Sequence, residues 1–446
     1  MIRLIFSDLR DHITTWVGAF VVAIACGYIG AWVVSIRETA AFAPESVQWS
    51  MQNASSMMLA FSLIAGVAVL ISAANLTVSV QRRSYALWQL ANVRPVFVSV
   101  VVLAQMAVVA VLGAICGALL ASITFVPLFP LVFSAREEIS QVVPCVGVSA
   151  MPIVWLVIVI IFLGGGLKGA RSAGTTSPLT VLREPEPKHM KMTWLRALFF
   201  ITLTACSIWL YFVMAESAPI DAMSFSPFML ILIVATLVPI APLIFSSLLC
   251  VWTLLVPNRW SAWYLARHTS RYGLSISTSV ETPIMVGFGL VAGLFSIISI
   301  MTSYAEGLGD FGTVGLDSTT TLLMLGGPVL LCAVGAAVSV VMAARSRTRD
   351  VALLTASGAL PSTLVSAAVC EALIHTTTAT LVGICSVVIS NALMAHVLGL
   401  PLFADLNIKA GFIVSLVGFA LILIATLIPT IKALNQDTAT VLTMQQ

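Results

Sequence analysis

Two ionisable residues lie four positions apart inside a long apolar stretch. Glu371 and His375 fall within residues 363–393, a segment long enough to cross a membrane. The i, i+4 spacing places both side chains on one face of a helix. Ionisable groups within membrane segments often mark functional sites, and a proton relay, a ligand contact or a haem-type site could use this pair. In the structural alternative, which we prefer, Glu371 lies near the end of its helix and pairs with basic groups there.

No pattern of catalytic or metal-binding residues occurs elsewhere. Seven of the eight cysteines lie in apolar runs, and neither a CxxC motif nor a Cys/His cluster is present. The segment from Gly164 to Lys168 lacks the spacing and the hydroxyl residue of an ATP phosphate-binding loop. We therefore predict no catalytic residue, no metal site and no cofactor in this chain.

The composition is that of a membrane protein. Hydrophobic residues make up 60% of the 446 residues and charged residues 9%, and the mean hydropathy is +1.08. Soluble domains have roughly 45–50% apolar and about 25% charged residues. The composition therefore indicates an all-α polytopic membrane protein in a lipid bilayer. It excludes a soluble enzyme, a nucleic-acid-binding protein and a secreted disulfide scaffold.

Apolar runs of membrane-spanning length predict ten transmembrane helices. They cover residues 15–36, 54–80, 96–124, 150–167, 195–214, 227–255, 280–303, 320–344, 363–393 and 410–434. If both termini are cytoplasmic, all Lys and Arg residues except Arg37, Arg136 and Lys409 lie inside. This distribution follows the positive-inside rule, so we predict cytoplasmic N and C termini.

The chain contains an internal repeat. Residues 83–88 align with residues 349–354 at an offset of 266, and the same offset pairs Pro95 with Pro361 and Gln105 with Glu371. An even number of spans separates the copies, so they have the same orientation. We predict a four-helix block with an N-terminal amphipathic helix at 1–183, a linker and two extra helices at 184–258, and a second four-helix block at 259–446. Chance similarity of two basic loops is the alternative.

The repeated loops resemble those of the FtsX-like permease family, the membrane half of MacB-type (type VII) ABC transporters. Clustered arginines precede an Ala-Leu pair in both copies, and Gly358 occupies the family's glycine position, whereas Asn92 replaces that glycine in the first copy. The ten-span layout is similar to permeases of the BceB kind, which export or detach antimicrobial peptides. It departs from them because residues 37–53 and 304–319 leave no room for a large extracellular domain.

The resemblance implies a permease subunit in a bacterial plasma membrane that exports or extracts an amphipathic or lipophilic substrate (peptide, lipid or drug-like). Two copies of a separate cytoplasmic ATPase would bind ATP and Mg²⁺ and dock on residues 82–95 and 347–361. The docking residues would be Arg82, Arg83, Tyr85, Leu87, Trp88, Arg347, Arg349, Asp350, Leu353 and Leu354. Alternatively, the arginines serve only to set the topology. Two other functions stay open: a sensing component that signals to a kinase or hydrolase, and an ion-coupled transporter that uses Glu371.

Overall fold

The structure is a computed structural model that describes residues 7, 13–81, 85, 88–90, 93–134, 137–175, 193–257, 259–272, 274–307, 318–403 and 405–435. These residues form helices and connecting segments, with no strand among them. The helices are α1 (Ile13–Ala41), α2 (Glu45–Val80), α3 (Pro95–Val132), α4 (Glu137–Ser140), α5 (Met151–Thr175), α6 (Trp194–Glu216), α7 (Pro219–Trp252), α8 (Ser261–Tyr272), α9 (Leu274–Gly307), α10 (Ser318–Ala356), α11 (Pro361–Val397) and α12 (Lys409–Leu434).

The chain is a multi-pass α-helical membrane protein. In the part that the structure describes, nine helices are long and apolar enough to cross a bilayer. Helix α5 contains a shorter apolar segment, Met151–Leu167. Each predicted span falls on one of these ten helices, and most of the helices extend beyond the apolar run by one or more turns.

The loop predicted at residues 37–53 is wrong in its extent. Helix α1 continues to Ala41 and α2 begins at Glu45, so only residues 42–44 connect them. Apolar content marks where a helix enters lipid, but its backbone hydrogen bonds continue into the polar turns outside. The connection between α1 and α2 is therefore even shorter than the sequence indicated.

The helices pack in two groups of four with the same internal neighbours. Helix α1 contacts α2, α3 and α5, and α9 likewise contacts α10, α11 and α12. The two groups meet where α2 packs against α10, while α6 and α7 pair with each other and α7 lies against α9 and α11. Glycines allow close approach within each group, at Gly117 against α1 and at Gly383 against Phe288 of α9.

Helices α2 and α10 run parallel through the centre of the molecule. A side chain added at Gly327 would meet Ser62, and one added at Gly335 would lie 2.5 Å from Val69 Cγ1. From Gly327 to Gly335 along α10, the contacted residue on α2 moves from Ser62 to Val69, so the two helices run in the same direction. Both helices consequently end on the same side of the bundle, which brings the two repeated loops to that side.

Candidate functional site

The second repeated loop is a sharp helix–helix turn at the end of α10. The N–H of Gly358 donates to Thr355 C=O, and the N–H of Ala359 donates to Leu354 C=O, both at 3.0 Å. Gly358 has φ +95°, a conformation that glycine adopts without steric cost. These are the bonds of a Schellman cap, which ends α10. Leu360 then caps α11, whose first residue is Pro361.

In the first repeated loop, the described residues include the counterpart of one of these two backbone hydrogen bonds, at the offset of 266. Val93 N–H donates to Trp88 C=O at 3.1 Å, as Ala359 does to Leu354. Arg94 caps α3 in an extended conformation ahead of Pro95, as Leu360 does ahead of Pro361. The alignment of the loops in sequence is thus accompanied by a shared local backbone geometry.

The predicted docking residues differ in where the structure places them. Leu353 is 47% exposed and Asp350 is exposed, whereas Leu354 packs into an apolar cluster with Val351 and Leu364. Arg347 and Arg349 belong to α10, but their side chains, like Arg82, Arg83 and Leu87 as a whole, lie outside the described part of the chain.

In the first loop the aromatic side chains pack on each other. Tyr85 is only 1% exposed, its hydroxyl donates to the side-chain oxygen of Gln81, and its ring lies edge-on to Trp88 with centroids 5.7 Å apart. Tyr85 therefore positions Trp88 and does not itself present a surface. Leu90, which the sequence reasoning did not select, is 56% exposed beside it.

The structure brings Glu371 and His375 together on α11 as their spacing predicted. His375 Nε2 lies 3.8 Å from Glu371 Oε1. Helix α11 places this pair between α9 and α8, both of which pack against it. Glu371 is thus oriented toward protein neighbours and not toward lipid.

Glu281 on α9 is the third member of this cluster, and the sequence reasoning missed it. Its Oε1 lies 2.7 Å from Nδ1 of His375, and the residue is fully buried. When Glu281 is ionised, its carboxylate can only accept, and Nδ1 of His375 then donates the proton. One signal was available: Glu281 is the only acidic residue between Asp221 and Glu306.

Helix α8 packs against α11 next to this cluster and contributes a hydroxyl group to it. Ser270 Oγ lies 3.5 Å from His375 Nε2, and Trp263 and Ala266 pack with Ile374 of α11. The buried carboxylate, imidazole and hydroxyl occur in the order of a hydrolase triad. They are unsuited to that chemistry, because Ser270 is 1% exposed and Glu371 approaches the same nitrogen.

The cluster does not form a metal centre either. Glu281 and Glu371 approach opposite nitrogens of the imidazole ring, so their oxygens do not converge on one point. No group of three metal-ligating side chains occurs in the part of the chain that was described. What the arrangement can do is join α8, α9 and α11 through buried polar contacts.

The charged cluster belongs to the second four-helix group alone. At the offset of 266, Glu281, Glu371 and His375 correspond to Thr15, Gln105 and Val109. These three residues are also buried, at the same place between α1 and α3. The two four-helix groups thus share a helix arrangement, but ionisable side chains are buried at this place in the second group and uncharged side chains in the first.

Comparison with known proteins gives one family. Residues 322–438, which include α11, α12 and most of α10, match the family model described as FtsX-like permease C-terminal. No curated protein and no solved structure matches the chain. The match supports the FtsX-like permease family and implies a permease component of an ABC transporter, in which a separate subunit is the ATPase.

Proposed function

We propose that the chain is the permease subunit of a MacB-type ABC transporter in a bacterial plasma membrane, driven by two copies of a cytoplasmic ATPase. The observation that carries this proposal is the pair of loops that align at an offset of 266 and share the backbone hydrogen bond made by Val93 in the first loop and by Ala359 in the second. Both follow parallel helices and lie on one side of the bundle, and the second lies within the FtsX-like match. Two equivalent ATPase subunits require two such docking sites.

The docking surfaces combine exposed apolar side chains with basic residues. Leu353 is the exposed apolar residue of the second loop. In the first loop Leu90 is exposed, Trp88 is half-buried, and Arg94 is exposed next to them. A few well-packed apolar and aromatic anchors carry most of the binding energy of an interface. The arginines of both loops add attraction to an acidic surface and speed association.

The substrate in this proposal is amphipathic or lipophilic, and it is exported or extracted from the membrane. The three-residue connection between α1 and α2 supports this assignment, because it leaves no extracellular domain at that point to receive a soluble substrate. A substrate would then approach laterally, through lipid. Antimicrobial peptides, lipids and drug-like molecules share the required amphipathic character.

Co-purification tests the docking surface directly. We expect the solubilised chain to retain an ATPase subunit, and Leu353→Asp to reduce this recovery about 10-fold or more, as loss of an interface anchor does. Leu402→Asp is the matched control, because Leu402 is similarly exposed in the connection between α11 and α12, at the opposite end. Failure to recover any ATPase from gently extracted membranes would contradict the proposal.

The buried cluster favours a second candidate, an ion-coupled transporter. Glu281, His375 and Glu371 form a row of ionisable groups within the helices, as proton-coupled transporters use. Proteoliposomes without any ATPase distinguish the two functions. Transport that follows a proton gradient supports the second candidate, whereas transport that requires ATP and the ATPase supports the first.

A further inference from the structure

Helix α8 has one face against the protein and one face outside it. Trp263, Ala266 and Ser270 are buried against the bundle. Trp260 and Tyr264 are exposed at i, i+4 spacing, and the same row continues to the exposed His268, whose ring lies 4.3 Å from that of Tyr264. The outer face of this short helix is therefore aromatic and polar.

The attachment of α8 places it where the spans end. Trp263 packs on Trp252, the last residue of α7, with ring centroids 6.0 Å apart, and α9 begins two residues after α8 ends. Leu254 and Leu255, in the connection from α7, are 64% and 82% exposed. In a bilayer these leucines reach the acyl region while the aromatic face of α8 lies at the level of the headgroups.

Along the sequence, the charged residues around α8 have one sign, although Glu371 of α11 lies close to α8 and faces His375. The sequence contains no acidic residue between Asp221 and Glu281, whereas Arg259, Arg267 and Arg271 lie in this interval. Glu281 is enclosed against His375 and is not available at the surface. The corresponding N-terminal stretch differs, because Asp8 and Asp11 offset its basic residues.

Two of these guanidinium groups have capacity for an anion. Arg259 is exposed. Arg271 is partly exposed, and its Nη2 donates to the carbonyl of Cys250 at 3.4 Å. Guanidinium groups bind phosphate through their N–H donors, so the remaining donors at the exposed end of Arg271 can bind a phosphate oxygen.

We propose that α8, with Arg259 before its first residue and Arg271 in its last turn, forms a binding surface for the phosphate headgroups of anionic phospholipids. Each arginine binds a headgroup phosphate at its own end of the helix, Trp260 and Tyr264 lie among the headgroups, and Leu254 and Leu255 contact the acyl chains. The proposed surface belongs to the second half of the chain. It is independent of the transport function, since it depends only on the charges and faces of α8.

The bound lipid would add to the contacts that hold α8 on the bundle. On its inner side α8 is tied to α11 through Ser270 and His375. Its Leu265 packs in the apolar cluster of Val351 and Leu354, next to the second repeated loop. A lipid on the outer side would therefore stabilise a helix that contacts both the buried cluster and the proposed docking segment.

Native mass spectrometry of the full-length, detergent-solubilised chain tests the site, with phosphatidylglycerol and phosphatidylcholine as the two probes. Two arginines near the headgroup are expected to give roughly a 30-fold preference for phosphatidylglycerol. Arg259→Gln with Arg271→Gln should bring the preference close to that of a neutral lipid. Arg259→Lys with Arg271→Lys should keep most of it, because the charges remain.

Two further variants keep the test decisive. Arg259→Gln alone changes an exposed side chain, so folding is unaffected and a partial loss of preference is expected. Arg94→Gln removes an exposed arginine at the same end of the first half and should leave the lipid preference unchanged. Equal retention of the two lipids by the unaltered chain, or an unchanged preference in the double glutamine variant, would overturn the proposal.

Discussion

The contact between Glu281 and His375 joins two buried ionisable side chains inside the bundle. A charged or hydrogen-bonded group without water must have a partner, and each of these residues supplies one for the other at 2.7 Å. Replacing both members of such a pair by apolar residues costs little stability. Removing only one member costs much more, because the other stays buried without a partner. The main effect of the pair is to specify how α9 and α11 meet.

His375→Leu is expected to destabilise the protein by about 3–5 kcal/mol, because Glu281 would stay buried without a donor. Glu281→Leu combined with His375→Leu should recover most of that loss, since the unpaired carboxylate is gone. Thermal unfolding of the purified protein in detergent measures both. His268→Leu, at an exposed histidine, is the control and should change stability by under about 0.5 kcal/mol. A single variant as stable as the unaltered protein would show that the pair is not a buried contact.

At the scale of the helices, the close packing of α2 on α10 depends on the absence of a side chain at a few positions. Helix pairs in lipid gain little from the hydrophobic effect and associate through close backbone approach. Gly327 and Gly335 provide this on α10, against Ser62 and Val69 of α2. The adjacent Gly326 does not face α2, because an added Cβ there meets only Leu322 of its own helix, at 3.5 Å.

Gly327→Ala should therefore lower stability by about 1–3 kcal/mol, since the new methyl group overlaps the Ser62 hydroxyl and lies 3.2 Å from Ile29 Cγ2. Gly326→Ala is the matched control one residue away. It should be neutral or slightly stabilising, because alanine has a higher helix propensity than glycine. We would compare the thermal unfolding midpoints of the two variants. Equal midpoints would refute the packing of α10 on α2 at this face.

At the scale of the whole molecule, the bundle has two chemically different ends. The repeated loops and α8 lie at one end, with arginines and interfacial aromatic residues. The connection between α4 and α5 and the connection between α11 and α12 lie at the other, because α3 and α11 each cross the bundle from the loop end. The positive-inside rule predicts that the loop end is cytoplasmic.

Cysteine labelling tests this orientation in intact cells. In a background without the native cysteines, Val143→Cys should react with a membrane-impermeant maleimide added outside. Ser357→Cys should react only after permeabilisation. Both positions are exposed in connections between helices, so access depends on the side of the membrane and not on burial. The reverse pattern would invert the topology, and labelling of both from outside would contradict the predicted number of spans.

Local patterns in the sequence were sufficient to predict the long apolar helices, the membrane class and the proximity of Glu371 to His375. Apolar runs of about 20 residues, helix-starting prolines and i, i+4 spacing each act within a few turns of one helix, so no knowledge of packing is needed. The turn at Gly358 belongs to the same category, since a glycine between two helical segments is a local signal.

Only the tertiary structure decided which side chains meet across helices. Glu281 and His375 are 94 residues apart, and Ser270 reaches His375 from a different helix again. Tyr85 proved buried and Leu90 exposed, although both lie in one short loop and both are compatible with a surface. The physical reason is that burial and partner choice depend on how helix faces pack against each other. A single helix sequence in an apolar environment carries little information about which of its faces meets protein and which meets lipid.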